Sequence, residues 1–201
     1  MSKAEKTREF IIEKAAPVFN KKGYSGTSLN DLIKATGLTK GSIYGNFENK
    51  DEIAVAVFDY SITALNKRIT DFLRDKKTAA GKLLSYTEFY RLNWKTVFER
   101  GGCPVQNASV EADDNLVFLK KNIQDGIRGW VRSLNKIIEK GQENGEFKKQ
   151  IVPSEYAYTI ITLLEGGIML SKIMNNHKLL FNALDRIDSI IHNELALENK
   201  K

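Results

Sequence analysis

Residues 27–53 read TSLNDLIKATGLTKGSIYGNFENKDEI, and the way this stretch divides decides the fold. Ser28 begins S-L-N-D, a pattern close to a capping box. Its hydroxyl can accept from the orphan amides of a first helical turn, and Asp31 adds favourable charge there. A short helix over 29–35 follows. Thr36-Gly37 breaks it, Thr39 can cap the next helix, and that one ends near Phe47 before Asn49-Lys50-Asp51-Glu52 opens a third. Leu32, Leu38, Ile43 and Phe47 fall where two short helices can share a small core. Gly37 supplies the unusual backbone angle needed to turn one helix across the other.

The second of these helices is polar on its outside. Thr39, Lys40, Ser42, Tyr44 and Asn46 face outward, and Gly41 leaves room for a phosphate or base edge to approach the backbone. A major groove about 12 Å wide accepts one helix, and short hydroxyl, amide and ammonium groups are the kinds that read its edges or clasp its phosphates. Lys50, opening the next helix, adds phosphate attraction to that helix's N-terminal dipole. The plainer alternative is a solvated surface helix of some other small bundle. For Tyr44, packing against its own domain and contact with a phosphate stand equally open.

The rest of the chain agrees with a partner of negative charge. Of 201 residues, 31 are Lys or Arg and 25 Asp or Glu, a net charge of +6. Residues 1–50 hold nine basic and five acidic side chains, so most of the excess sits in the first quarter. Mild basicity alone is weak support for a polyanion; its position beside the helix pair says more. The one cysteine, Cys103, excludes an intrachain disulfide framework. The first residues, MSKAEKTREF, lack the apolar core of a signal peptide, and the longest apolar run, YAYTIITLLEGGIML, is short for a span and holds Glu165. A soluble cytoplasmic protein is the expectation.

Apolar residues recur at three and four positions and no long stretch alternates strictly, which predicts an all-α chain. A first helix spans 3–22, with Ile11, Ala15, Val18 and Phe19 on one face, Gly23 as its stop and Pro17 expected to weaken or kink it. After the short helices, longer ones are predicted at about 52–73, 79–98, 112–141, 154–174 and 178–197. A small basic head, 1–50, thus precedes a larger helical body, 51–201.

The stretch 27–53 resembles the helix-turn-helix signature of the TetR (tetracycline repressor) family of bacterial transcriptional regulators. Gly37, Lys40-Gly41, Tyr44, Phe47 and Lys50 carry the resemblance in one register, with Gly23-Tyr24 closing the first helix. The resemblance implies an all-α homodimer, each subunit holding a three-helix N-terminal DNA-binding head and a six-helix C-terminal bundle for effector binding and dimerisation. It implies DNA contacts at Thr27, Ser28, Thr39, Lys40, Gly41, Ser42, Tyr44, Gly45, Asn46 and Lys50. Two positions depart from the pattern: Ile33 stands where Ala is usual, and Gly45 where an aromatic or polar residue is frequent.

The body carries Tyr86, Phe89, Tyr90, Trp94, Phe98, Phe118 and Trp130. Such aromatics are most often core, although a bundle pocket lined by them also suits a small ligand. Trp94, Phe98, Phe118 and Trp130 are the candidates for a pocket. Cys103 and Asn107 join them from GGCPVQNASVE, residues 101–111, where the glycines and Pro104 bend the chain ahead of a polar helix start. A small buried residue at a bend is the plainer reading of Cys103. The last two helices, about 154–174 and 178–197, have broad apolar faces, and Gly166-Gly167 would admit another backbone. They are the expected dimer interface, with burial inside one subunit the alternative.

Three functions follow from these residues. A ligand-responsive repressor, released from a palindromic double-stranded operator by a small-molecule effector, leads. A constitutive dimeric DNA-binding protein, or an activator, is the alternative. An enzyme is not expected: there is no Gly-rich phosphate loop, no HExxH and no supported Ser-His-Asp arrangement, and Glu111 with Asp113-Asp114 reads as helix-terminus charge. His177 and His192 lack ligand-spaced partners, so solvated histidines are expected rather than a metal site, and no cofactor is called for.

Overall fold

The computed structural model describes residues 2–113 and 116–197, so Asp114 of the acidic trio lies outside it. Among the described residues there are nine α-helices and no strand. They are α1 (Lys3–Lys22), α2 (Leu29–Thr36), α3 (Lys40–Tyr44), α4 (Lys50–Leu73), α5 (Ala79–Glu99), α6 (Pro104–Ala112), α7 (Val117–Glu143), α8 (Pro153–Ile173) and α9 (Lys178–Ser189). A π-helical turn, Ile190–Leu195, prolongs α9. No described helix is long and apolar enough to cross a membrane.

The chain forms two compact units. The first holds α1 to α3, α4 through Asn66, and residues 99–126. Ile11, Ala15 and Phe19 of α1 are buried in it together with Leu32, Ile43, Phe47, Ile53, Val57 and Phe58. The ring of Phe19 lies 5.0 Å from that of Tyr24. Ser2 opens α1 with a full capping box, its hydroxyl accepting from the Glu5 N–H and its own N–H donating to the Glu5 carboxylate. The helix then runs through Pro17 to Lys22 and stops at Gly23, whose φ of 79° an L side chain rarely adopts.

The second unit holds the rest of α4, α5, the rest of α7, α8 and α9. Phe147 is fully buried there, and Gly141 makes its place: any Cβ on Gly141 would overlap the Phe147 ring. The π-helical turn is tied down beside it, because Leu195 accepts from the Lys148 N–H at 2.9 Å and Leu197 donates to Glu146 at 3.1 Å. Across α5 and α9, Arg91 donates to Asp185 (2.8 Å) and Asp188 (2.6 Å), and the Thr87 hydroxyl donates to Asp188 at 2.6 Å.

Two expectations need correction. The sequence reading begins one helix at Ala112, whereas residue 112 ends α6 and the next helix starts at Val117. Pro104 explains the extra helix: at a first helical position its missing N–H costs nothing, and its ring sets φ for the turn. Gly101 and Gly102, with φ of 103° and 92°, bend the chain into it. The second correction is His177, expected in solvent. Its ring stacks on Trp94 at 4.6 Å and meets Phe181 edge-on at 5.3 Å. His192 is exposed.

Candidate nucleic-acid interface

Local chemistry shapes the helix pair. The Ser28 hydroxyl accepts from the Asp31 N–H at 3.2 Å, and Asp31 accepts in return from the Ser28 N–H at 3.0 Å. Lys22 lies 2.6 Å from the same carboxylate. The Lys22 ammonium, then the Ser28 N–H, hold the Asp31 carboxyl far below the usual carboxylate range. Ser28→Ala removes the N-cap of α2 and should cost about 1 kcal/mol, read as a lowered denaturation midpoint with an unchanged slope.

Gly37 ends α2 in the left-handed region at φ 70°, its N–H donating to Ile33 at 2.8 Å. Thr36, mostly buried, spans the turn: its hydroxyl donates to the Leu32 carbonyl (2.7 Å) and accepts from the Leu38 N–H (3.2 Å). Thr39 then caps α3, accepting from the Ser42 N–H at 3.2 Å. Leu32, Ile43 and Phe47 are buried as expected, while Leu38 is half-buried. With Ile43 inward, Lys40, Gly41, Tyr44 and Gly45 are exposed, Ser42 is half-exposed, and Tyr44 keeps 37% of its surface.

Arg8 of α1 holds the far end of this helix pair, which local patterning could not reveal. Its guanidinium donates to the Asn46 carbonyl (2.6 Å) and to Glu52 (2.7 Å), and it covers the Phe47 ring at 4.0 Å. Glu52 also accepts from the Glu48 N–H at 2.7 Å. That N–H first, and Arg8 second, hold its carboxyl below the ordinary range. The partners of Arg8 lie 38 and 44 residues away, beyond any periodicity.

Not every expected contact residue is open. Thr27 is only 1% exposed and its hydroxyl donates to the Gly23 carbonyl at 2.7 Å, so this side chain braces the α1–α2 connection. The Asn46 amide donates to the Ser42 carbonyl at 2.8 Å, and Lys50 reaches the Ser25 carbonyl at 3.3 Å. Ser28, Thr39 and Lys40 are exposed.

The candidate pocket residues divide between the units. In the second, Trp94 and Phe98 meet edge-on at 5.5 Å, and Trp130 is half-buried on α7. In the first, Cys103 is buried at the start of α6 and Phe118 is exposed. Asn107 spends its amide on Asn20 and Gly101.

A short polar helix fixed across a second by a left-handed glycine, on the basic head of an all-α chain, defines a helix-turn-helix DNA-binding transcriptional regulator. Residues 11–57 match the family described as bacterial regulatory proteins, tetR family, and residues 79–187 the tetracyclin repressor-like C-terminal domain. The chain belongs to the TetR family. A TetR-family transcriptional regulator from Cytophaga hutchinsonii is 38% identical, covers 98% of both chains and superposes with a TM-score of 0.94. A TetR regulator from Chloroflexus aurantiacus is 31% identical over 98% of this chain and 100% of its own, with a TM-score of 0.90. The transcriptional repressor DhaR of a Mycobacterium is 28% identical over 85% of each chain.

Proposed function

We propose that the chain is a homodimeric repressor of the bacterial cytoplasm that leaves a palindromic operator when a small molecule binds its body. The observation that carries this reading is the exposed polar face of α3, held rigid by buried Ile43 and the Thr39 cap. Residues 1–50 form the reading head. Lys40 and Lys50 meet phosphates, Ser42 and Tyr44 lie at the groove, and Ser28, Thr39, Gly41, Gly45 and Asn46 border it. Thr27 acts only by holding its loop.

The second copy docks on α8 and α9 within 51–201. Met169, Leu170 and Ile173 leave apolar surface at helical spacing on α8, and Met174 adds to it just past the helix end, with Ile173 74% exposed, more than a lone subunit needs to show. A symmetric pair would set two α3 helices about 34–36 Å apart, one turn of duplex. The naming of DhaR as a repressor supports that sign of regulation. Trp94, Phe98 and Trp130 of the second unit offer an aromatic wall for an effector, and Cys103, Asn107 and Phe118 of the first are separate candidates. To turn a mostly bound population into a mostly free one, the effector must prefer the free form by about 5 kcal/mol.

Selection from a random double-stranded pool, followed by titration at several salt concentrations, tests the reading. Lys40→Ala or Lys50→Ala should weaken binding at every sequence and lower the salt slope by about 0.9 each. Ser42→Ala should change which bases are preferred and leave that slope alone. No salt-sensitive affinity for any duplex would end the proposal.

A further inference from the structure

Asn107 and Glu111 stand four residues apart on α6 and so share one face. Both reach the far end of α1. Glu111 accepts from two consecutive backbone amides, those of Tyr24 and Ser25, at 2.8 Å each. Asn107 donates to the Asn20 carbonyl (3.0 Å), the Asn20 side-chain oxygen (2.9 Å) and Gly101 (2.9 Å). Asn20 answers by donating to Arg100 (2.6 Å) and Gly102 (3.2 Å).

The fit is close on both sides. A Cβ on Gly23 would overlap the Glu111 carboxylate, and one on Gly101 would lie 2.7 Å from the Asn20 carbonyl. Lys50 donates to the carbonyl of Ser25, the residue whose N–H Glu111 holds, at 3.3 Å. The Ser25 backbone is therefore gripped from α6 on one side and from the first turn of α4 on the other. Three residues further on, Ser28 caps α2, which carries α3.

We propose that Glu111, assisted by Asn107, is the positioning residue that fixes the direction in which α3 is presented, by clamping the α1–α2 connection to α6. A carboxylate accepting from two amides in parallel resists both sliding and rotation, as a single bond would not. Without the clamp the head keeps its own core, since Ile43, Phe47 and the Arg8 contacts lie elsewhere, but α3 is presented over a range of directions. A dimer then tolerates wrongly spaced half-sites.

The inference rests on the proposed operator reading, and its test separates the two. The wild-type chain first selects an operator from a random duplex pool; duplexes with one or two base pairs inserted between the half-sites are then compared. Glu111→Gln keeps the shape but turns one acceptor into a donor facing an N–H, and Asn107→Ala removes the other arm. Both variants should bind the selected operator about tenfold more weakly, keep the wild-type salt slope, and lose about tenfold of the discrimination against altered spacing.

Wild-type spacing preference in a folded variant overturns the proposal, whatever its melting temperature. So does a uniform loss across all spacings, which a merely destabilised head would give. If Glu111→Gln does not fold, Asn107→Ala decides alone. Failure of the wild-type chain to select any duplex sinks the operator reading and this inference with it.

Discussion

Ile43→Ala is expected to cost about 2–5 kcal/mol and to weaken operator binding more than tenfold, although Ile43 touches no DNA in the proposed reading. The side chain is fully buried, the one buried residue of a helix spanning Lys40–Tyr44. A helix this short has no stability of its own, because nucleation fixes several residues for one hydrogen bond. What keeps α3 formed is the Thr39 cap, Ile43 in the core and the Arg8 brace beyond its end. Removing three carbons leaves a cavity in this small core that closes only if the helix moves. Denaturant unfolding reports the first loss and duplex titration the second. Ser42→Ala on the outer side should leave the unfolding midpoint in place, so the pair separates bracing from reading. An Ile43→Ala protein with wild-type affinity would show that α3 is not the reading element.

Adjacent glycines of α8 are expected to answer the same substitution with opposite signs. A Cβ at Gly166 meets nothing within 4 Å. Gly166→Ala should therefore raise subunit stability by about 0.5–1 kcal/mol, the ordinary gain of alanine over glycine in a helix interior. At Gly167 the same atom would lie 2.8 Å from the Ala183 Cβ, 3.2 Å from a Leu180 methyl and 3.4 Å from the Leu180 Cα on α9. Helix α9 must back away, and Gly167→Ala should cost about 1–3 kcal/mol despite the better propensity. Gly166 lies at helical spacing from exposed Met169, Leu170 and Ile173, the face assigned to the second copy. If a partner's backbone closes there, Gly166→Ala weakens dimerisation while it stabilises the subunit. Sedimentation across a dilution series, beside a melting curve, reads the two effects independently. Unaltered dimerisation in Gly166→Ala would place the interface elsewhere.

The head was legible because its decisive interactions are local. Ser28 and Asp31 cap each other three residues apart, Gly37 turns left-handed one residue after α2 ends, and Thr39 meets an amide three residues on. Each is written in neighbouring letters. The extent of α6 was less legible: Gly101 to Glu111 announces a bend and a polar helix start, but only the burial of Val105, Ala108 and Ala112 marks a separate helix that ends before α7. Thr27 shows the same limit from the other side. A threonine beside a helix cap suits a phosphate contact as well as a buried brace, and its neighbours in sequence do not show that its hydroxyl donates to the Gly23 carbonyl.

Composition and spacing alone determined that this chain is helical, that its first quarter is basic, and that a short polar helix is set across another by a glycine; that α3 closes at Tyr44 rather than near Phe47 came from the structure. Those features depend on backbone preference and charge, which act over a few residues. Tertiary structure alone decided that Arg8 braces the end of that helix, that His177 stacks on Trp94, and that Glu111 holds amides 86 and 87 positions away. A hydrogen bond or ring contact between distant residues leaves no period in the sequence, because its partners meet only after the chain has folded.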